Sequence, residues 1–146
     1  MGIYKYRFES ILKFRNSVEN NKKNLLSISI RKLDKEKKEL ERLNKGLNES
    51  YESMKKEFSD GVTIDKLVEM ANHQNYYKEG ITRKNIDVKN AENNVKERRQ
   101  ELIKAVQDKK IIEKIKEIDL NNFKYEEQKK DEKKLDEIIS YKRSSK

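Results

Sequence analysis

The stretch Ser59-Asp60-Gly61-Val62-Thr63 is the one clear break in a chain that is otherwise suited to form helix. The 146 residues include no proline and four glycines, so little else interrupts a helix. Gly61 can adopt the left-handed conformation that ends a helix, and Thr63 can cap the next one. A short turn forces its flanking helices to lie antiparallel. The sequence therefore predicts a hairpin of two helices, over about residues 5–58 and 64–140.

An apolar stripe with heptad spacing runs along the first predicted helix. Six of its seven positions are apolar, as expected for one side of a coiled-coil seam. These positions are Leu12, Glu19, Leu26, Leu33, Leu40, Leu47 and Met54. A coiled-coil seam needs a second heptad position, which we call the companion position. It is mostly polar here, with Arg15, Lys22 and Glu36 among its members. We therefore expect one edge of the seam to pack irregularly, and we call it the ragged edge.

A second stripe follows the turn, with alternating spacings of three and four residues. Ten of its fourteen positions are apolar. They are Leu67, Met70, Gln74, Tyr77, Ile81, Lys84, Val88, Ala91, Val95, Arg98, Leu102, Ala105, Lys109 and Ile112. Hydrophobic residues make up only 33% of the chain and charged residues 43%, too little apolar matter for a compact core. The two stripes favour an all-α, antiparallel coiled-coil hairpin of two long helices, forming a single domain over residues 1–146.

The second predicted helix is longer than the first. If the turn centres on Gly61, residue 8 lies level with about residue 114. Everything after about Ile118 then overhangs without a partner in the chain, and we expect another protein to dock there. The apolar side chains of this overhang are Leu120, Phe123, Tyr125, Leu135, Ile138, Ile139 and Tyr141.

Several classes of function are disfavoured by composition. The net charge is +9, but basic and acidic residues alternate, which suits solvated helix faces better than nucleic-acid binding. We expect no disulfide, because there is no cysteine, and no direct membrane insertion, because no apolar run has the required length. His73 is the only histidine, and two helices enclose no catalytic cleft. The sequence therefore predicts a cytoplasmic protein that is not an enzyme and has no cofactor or metal.

Both ends of the chain carry motifs of a known family. Tyr6-Arg7-Phe8-Glu9-Ser10-Ile11-Leu12-Lys13-Phe14-Arg15 resembles the opening of the flagellar export protein family FliJ. Glu127-Gln128-Lys129-Lys130-Asp131-Glu132-Lys133-Lys134-Leu135-Asp136-Glu137 resembles that family's charged tail. Chain length, hairpin and overhang are also similar, so the likeness covers the whole chain. The chain departs from the family pattern in its wealth of Asn and Lys and in its polar seam positions.

The resemblance implies a component of the bacterial flagellar type III export apparatus, similar in shape to the central stalk of rotary ATPases. Such a protein lies at the cytoplasmic face of the flagellar base. Its implied partners are the hexameric export ATPase, which it binds and stimulates, an export gate membrane protein and export chaperones. Carried over to this sequence, the ring-facing residues are Phe8, Leu12, Arg15, Glu132, Lys133, Leu135, Asp136 and Glu137.

Two further groups of side chains are open to more than one interpretation. Six basic residues near the two ends form either a collar facing acidic loops of the ATPase ring or an ordinary solvated face. They are Arg7, Lys13, Arg15, Lys124, Lys133 and Lys134. Four aromatic residues near the turn either form a patch that binds the export gate or thicken the tip of the coiled coil. They are Tyr51, Phe58, Tyr76 and Tyr77.

Two alternative functions remain open on sequence grounds. The first is the equivalent ATPase stalk of a virulence-type injectisome, which genomic neighbours would distinguish. The second is a structural or chaperone-like coiled coil, which would self-associate through its ragged edge and would not affect an ATPase.

Overall fold

The computed structural model describes residues 2–145, which contain two α-helices and no strand. Helix α1 spans Glu9–Asp60, and helix α2 spans Ile64–Ser144. The chain divides into two compact units. The turn unit is Lys22–Leu102, and the terminal unit combines the residues up to Asn21 with those from Ile103 onward. In each unit a segment of α1 packs against an antiparallel segment of α2, so the predicted all-α fold of two long, packed helices is confirmed. The single domain stays a prediction.

The connection between the helices has the geometry that its residues favour. Gly61 has a φ of 93°, in the left-handed region that glycine enters without steric cost. The backbone N–H of Lys66 donates a hydrogen bond of 3.2 Å to the hydroxyl of Thr63, so Thr63 caps the start of α2. Asp65 lies in the first turn of α2, where the helix dipole favours a negative charge. These local contacts end one helix and begin the next within three residues.

The core of the turn unit is a narrow seam of aliphatic side chains. Leu43, Ala91 and Val95 are each at most 6% exposed. Gly46 makes room for Tyr77, because a Cβ on Gly46 would lie only 2.5 Å from the aromatic ring. Throughout α2, all fourteen positions of the predicted stripe are buried or half-buried. The stripe therefore marks the packed face of α2.

The companion position of α1 differs from the sequence-based expectation. All seven of its members are buried or half-buried, although most are polar. They are Phe8, Arg15, Lys22, Ser29, Glu36, Leu43 and Ser50. All three charged members reach across to α2, in the ion pairs Arg15–Asp108 at 3.5 Å, Lys22–Glu101 at 3.5 Å and Glu36–Lys84 at 2.8 Å. The predicted ragged edge is wrong, because these charges pair with opposite charges on α2.

The start of α1 also differs from the sequence pattern. The helix begins at Glu9 rather than near residue 5, and residues 2–8 are not helical. We call residues 2–8 the N-terminal strap, because they lie along α2 within the terminal unit. Tyr6 of the strap is only 6% exposed. The segment leaves the helical conformation and still buries an aromatic side chain.

Candidate partner-binding site

The N-terminal strap is held on α2 by two tyrosines. The hydroxyl of Tyr6 donates a hydrogen bond of 3.2 Å to the carbonyl of Ile112, and the hydroxyl of Tyr4 lies 3.3 Å from Oδ2 of Asp119. The ring of Tyr4 also packs edge-to-face on Phe123, with centroids 5.4 Å apart. Aromatic pairs of this geometry contribute about 0.5–1.5 kcal/mol beyond the area that they bury.

Burial raises the pKa of both strap tyrosines, and the negative charge of Asp119 raises the pKa of each further. For Tyr4, the hydrogen bond to Asp119 acts in the same direction. Both phenols are therefore neutral donors at neutral pH. Arg7 adds an ion pair of 3.8 Å to Asp119, although its side chain remains 76% exposed. Asp119 thus contacts two side chains of the strap, Tyr4 and Arg7.

The strap reaches further along α2 than the sequence suggested. The backbone N–H of Gly2 lies 3.4 Å from Oε2 of Glu127, and Leu120 and Phe123 are half-buried. The expectation that α2 overhangs from about Ile118 is wrong, because an extended segment spans more length per residue than the helix assumed for residues 5–8. The overhang begins at about Gln128.

We call residues 128–145 the tail segment. Every one of these residues is exposed. Leu135, Ile138 and Ile139 are 57%, 53% and 40% exposed, and Tyr141 is 74% exposed. The spacing of the first three places them on one side of the helix. The tail segment therefore presents a short apolar strip between charged residues.

The residues predicted to face an ATPase ring all lie in the terminal unit, but they fall into two groups. The first group takes part in packing: Phe8, Leu12 and Arg15 are half-buried, and Phe8 lies edge-to-face on Tyr6 at 5.7 Å. The second group is fully exposed on the tail segment. It consists of Glu132, Lys133, Lys134, Leu135, Asp136 and Glu137. The structure therefore leaves mainly the second group available to a partner.

The basic residues near the two ends divide in the same way. Arg7 and Arg15 are held by Asp119 and Asp108. Exposed positions are occupied by Lys13, Lys124, Lys133 and Lys134. A basic collar of all six residues stays a prediction, and two of its members already neutralise carboxylates of this chain.

The four aromatic residues near the turn do not form one cluster. Tyr51 and Phe58 line a groove along α1 with Met54, and Phe58 is 65% exposed. Tyr77 lines a second groove with His73, whose ring lies 4.9 Å away. A gate-binding role for Tyr51, Phe58, Tyr76 and Tyr77 stays a prediction.

Comparison with known proteins places this arrangement in a family. The sequence matches the family described as flagellar FliJ protein over residues 4–146. The chain belongs to the FliJ family. A search of curated proteins found no match. A solved structure of a putative YscO homolog from Chlamydia trachomatis is similar in fold, with 20% sequence identity, a TM-score of 0.55 and 93% of each chain covered.

Membership of the FliJ family makes the chain a component of a type III protein export apparatus. The resemblance of the chain to this family is thus confirmed. Among residues 2–145, neither helix carries an apolar stretch long enough to cross a bilayer. The same residues contain no group of His, Cys, Asp and Glu that could hold a metal ion. The expected absence of catalysis stays a prediction.

Sequence reasoning missed the strap residues Tyr4 and Tyr6 and their hydrogen-bond partners, Asp119 and the carbonyl of Ile112. A signal was present, because side chains two residues apart lie on the same side of an extended segment. The aromatic residues therefore fit a strand-like segment better than the start of a helix.

Proposed function

We propose that this protein is a stalk-like, non-enzymatic component of the flagellar export apparatus that binds and stimulates the hexameric export ATPase. The proposal is supported most by the tail segment, a helical stretch whose apolar strip of Leu135, Ile138 and Ile139 has no cover among the described residues. Exposed apolar side chains on a helix rimmed by charges are typical of protein docking sites.

The charges of the tail segment suit a contact that is oriented by electrostatics. Lys133, Lys134, Asp136 and Glu137 flank Leu135 and are exposed. Charges at the rim of an interface act on the association rate and orientation more than on affinity. In this proposal the apolar strip supplies the binding energy, and the flanking charges set the rotation of the tail segment within the ring.

The test is the hydrolysis rate of the cognate export ATPase with increasing amounts of the full chain. We expect stimulation by the natural chain. The variant Leu135→Ser/Ile138→Ser/Ile139→Ser should need at least about tenfold more protein for the same rate, since about 1.4 kcal/mol of lost binding has that effect. These side chains are exposed, so circular dichroism should show an unchanged helix content.

The matched control is Ile30→Ser/Ile86→Ser, which removes isoleucines that are 43% and 58% exposed in the turn unit. This control should stimulate like the natural chain. Absence of stimulation by the natural chain at every concentration would exclude the proposal, and so would equal losses in the two variants.

We further propose that the aromatic side chains near the turn contact the export gate membrane protein and that export chaperones also bind the chain. Phe58 and Tyr76 support the gate contact, because they are 65% and 60% exposed. Phe58→Ser/Tyr76→Ser should abolish co-sedimentation with gate-containing vesicles and leave ATPase stimulation intact. Unchanged co-sedimentation would contradict the gate contact. Chaperone binding is tested with the variant Leu135→Ser/Ile138→Ser/Ile139→Ser. If this variant lost chaperone binding together with stimulation, the chaperones would be assigned to the tail segment.

An injectisome ATPase stalk is the alternative function, supported by the fold shared with the putative YscO homolog. In either system the protein would act at the cytoplasmic face of the export apparatus. Genomic neighbours encoding flagellar hook and filament proteins favour the first, and neighbours encoding needle proteins the second. A structural coiled coil would instead self-associate and leave the ATPase rate unchanged.

A further inference from the structure

The N-terminal strap is attached to α2 by few contacts. Among the described residues, no backbone N–H of residues 3–8 donates a hydrogen bond within the chain. The backbone of Gly2 makes one long contact, 3.4 Å from Oε2 of Glu127, and Ile3 is 94% exposed. The strap is therefore held mainly by the rings and hydroxyls of Tyr4 and Tyr6. Segments with so few bonds to the rest of a protein open at low free-energy cost.

The strap covers a defined part of α2, which we call the strap seat. Glu9, the first residue of α1, pairs with Lys116 at 3.6 Å, so the seat lies beyond the end of α1. Tyr4 contacts Asp119 and Phe123 there. Since helix hydrogen bonds run within the helix, lifting the strap exposes the seat and leaves α2 intact. The half-buried members of the strap seat are Asp119, Leu120, Phe123 and Glu127.

The side of α2 that carries the strap seat continues onto the tail segment. From Phe123, steps of four and three residues lead along this side of the helix. The positions reached are Glu127, Lys130, Lys134, Ile138 and Tyr141. At the junction, the charges of Glu127 and Lys130 pair at 3.9 Å. A shallow groove on the tail segment is lined by Lys134, Ile138 and Tyr141. One face of α2 is thus covered in its first part and open in its second.

The open part of this face is short for a stable contact. The tail segment has about 18 residues and is about 27 Å long, and only one side of it can face a given partner surface. Stable protein interfaces use about 20–30 residues on each side. With the strap seat, the available helix grows to about 27 residues and about 40 Å. Leu120 and Phe123 then add to the apolar strip of the tail segment.

We infer that the strap is a displaceable cover, and that the export ATPase ring lifts it and binds the strap seat together with the tail segment. The inference rests on the proposed function and adds a regulatory step to it. The strap occupies the seat in the free chain, and the ring occupies the seat in the complex.

The strap thereby sets the concentration at which the ring responds. A ligand that binds only the open form has its apparent affinity reduced by the fraction of chains that are open. The contacts of Tyr4 and Tyr6 keep this fraction small. Weakening them should increase the affinity for the ring, whereas fixing the strap in place should decrease it.

Fluorescence quenching tests displacement directly. The chain has no cysteine and no tryptophan, so Gly2→Cys labelled with bimane and Glu127→Trp form a single quenching pair. The bimane should be quenched in the free chain and should brighten as the ATPase is added. Tyr125→Trp is the matched control on the opposite side of α2, and it should not quench. A bimane that stays quenched at full ATPase stimulation would overturn the inference.

A locked strap tests the effect on the ring. In Gly2→Cys/Glu127→Cys, dibromobimane joins the two thiols and holds the strap on its seat. The crosslinked protein should need at least about threefold more material for half-maximal stimulation than the same variant before crosslinking. Circular dichroism should show equal helix content in the two forms. Equal potency of the two forms would contradict a displaceable cover.

A loosened strap should have the opposite effect. Tyr4→Ser removes the ring and hydroxyl that contact the seat, and it should stimulate at a concentration at least about threefold lower than the natural chain. Adding Phe123→Ser removes part of the seat and should cancel this gain. Weaker stimulation by Tyr4→Ser would show that the strap itself contacts the ring, and this result would also overturn the inference.

These outcomes separate the inference from the proposed function. If the natural chain stimulates the ATPase but the locked and loosened straps have no effect, the strap is only a structural element and the proposed function stands. If the natural chain does not stimulate at any concentration, the proposed function fails, and the inference fails with it.

Discussion

The turn unit and the terminal unit build the same kind of helix pair, but the turn unit buries more aliphatic side chains beside its ion pairs Lys22–Glu101 and Glu36–Lys84. In the turn unit, Leu43 and Val95 are nearly fully buried. In the terminal unit, the packed positions include Arg15, Glu19 and Lys109, joined by ion pairs. Aliphatic burial contributes about 25 cal/mol per Å², whereas a buried ion pair contributes little net stability and instead fixes one register. We therefore expect the turn unit to contribute most of the free energy of unfolding. The ion pairs of the terminal unit should chiefly fix the register of α1 against α2.

The largest expected effect is the loss of an aliphatic side chain from the turn unit. Leu43 is 5% exposed, so Leu43→Ala should lower the free energy of unfolding by about 2–5 kcal/mol. The matched control is Leu135→Ala, where the leucine is 57% exposed and the expected change is below about 0.5 kcal/mol. Denaturation with urea, followed by circular dichroism, measures both. Equal effects at the two positions would contradict the buried seam.

The second effect tests the charged seam of the terminal unit. Glu19 lies 3.0 Å from Lys109, and the side chains are 11% and 25% exposed. Glu19→Ala should cost about 1–3 kcal/mol, because it leaves the ammonium of Lys109 partly buried with fewer partners.

The double variant Glu19→Leu/Lys109→Leu is the informative comparison for this pair. It replaces the charges by apolar side chains and should be as stable as the natural chain or more stable. A double variant less stable than Glu19→Ala would show that the ion pair itself is the main source of stability there. Urea denaturation of the three proteins distinguishes these outcomes.

A smaller effect distinguishes two glycines of the turn unit. Gly46→Ala would place a Cβ 2.5 Å from the Tyr77 ring, and the overpacking cost of about 1–3 kcal/mol exceeds the helix-propensity gain of about 1 kcal/mol. At Gly80 the nearest atom is a methyl group of Leu43 at 3.3 Å, which can give way. Gly80→Ala should therefore be neutral or stabilise by up to about 1 kcal/mol. Thermal unfolding measures both, and stabilisation by Gly46→Ala would contradict the tight contact.

The smallest effect concerns alkaline pH. The pKa values of Tyr4 and Tyr6 are raised above 10.0, first by burial and then by Asp119. A raised folded-state pKa gives stability that is complete below pH 10 and is lost as the pH rises through the folded values. Absorbance at 295 nm should show that these two tyrosines ionise later than exposed ones such as Tyr141.

The control for the alkaline transition is Tyr4→Phe/Tyr6→Phe. Its stability should fall less steeply above pH 10. A residual slope is expected from Lys84, whose pKa is raised first by its hydrogen bond from the ammonium to Glu36. An unchanged slope in the double variant would contradict the buried strap.

Much of the fold could be predicted from sequence because heptad spacing and glycine chemistry are local signals. The Leu12 stripe needs only its own helix, and Gly61 needs only its own backbone conformation. The seam role of Arg15 and Glu36 could not be predicted, because each resembles a surface residue until its partner on α2 is known. That partner depends on the antiparallel register, which a single sequence does not specify.

The candidate site shows the same limit. The exposed tail residues were predictable, since a helix longer than its partner has unpaired positions. The packing of Phe8 was not, because it depends on the extended strap, where Phe8 lies against Tyr6. The close contact of Tyr77 with Gly46 could not be predicted either, because a glycine within a helical pattern usually indicates only a lower helix propensity.

The three-residue connection at residues 61–63 dictates an order of assembly. Contacts near it close short loops, such as Met54–Gln74, which are 20 residues apart, whereas Gly2 and Glu127 are 125 residues apart. Loop closure becomes costlier with length, so pairing should start at the connection and proceed like a zipper, with the strap closing last. Amide hydrogen exchange should consequently be slowest around Ala91 and Val95 and should quicken toward Tyr4 and Tyr6.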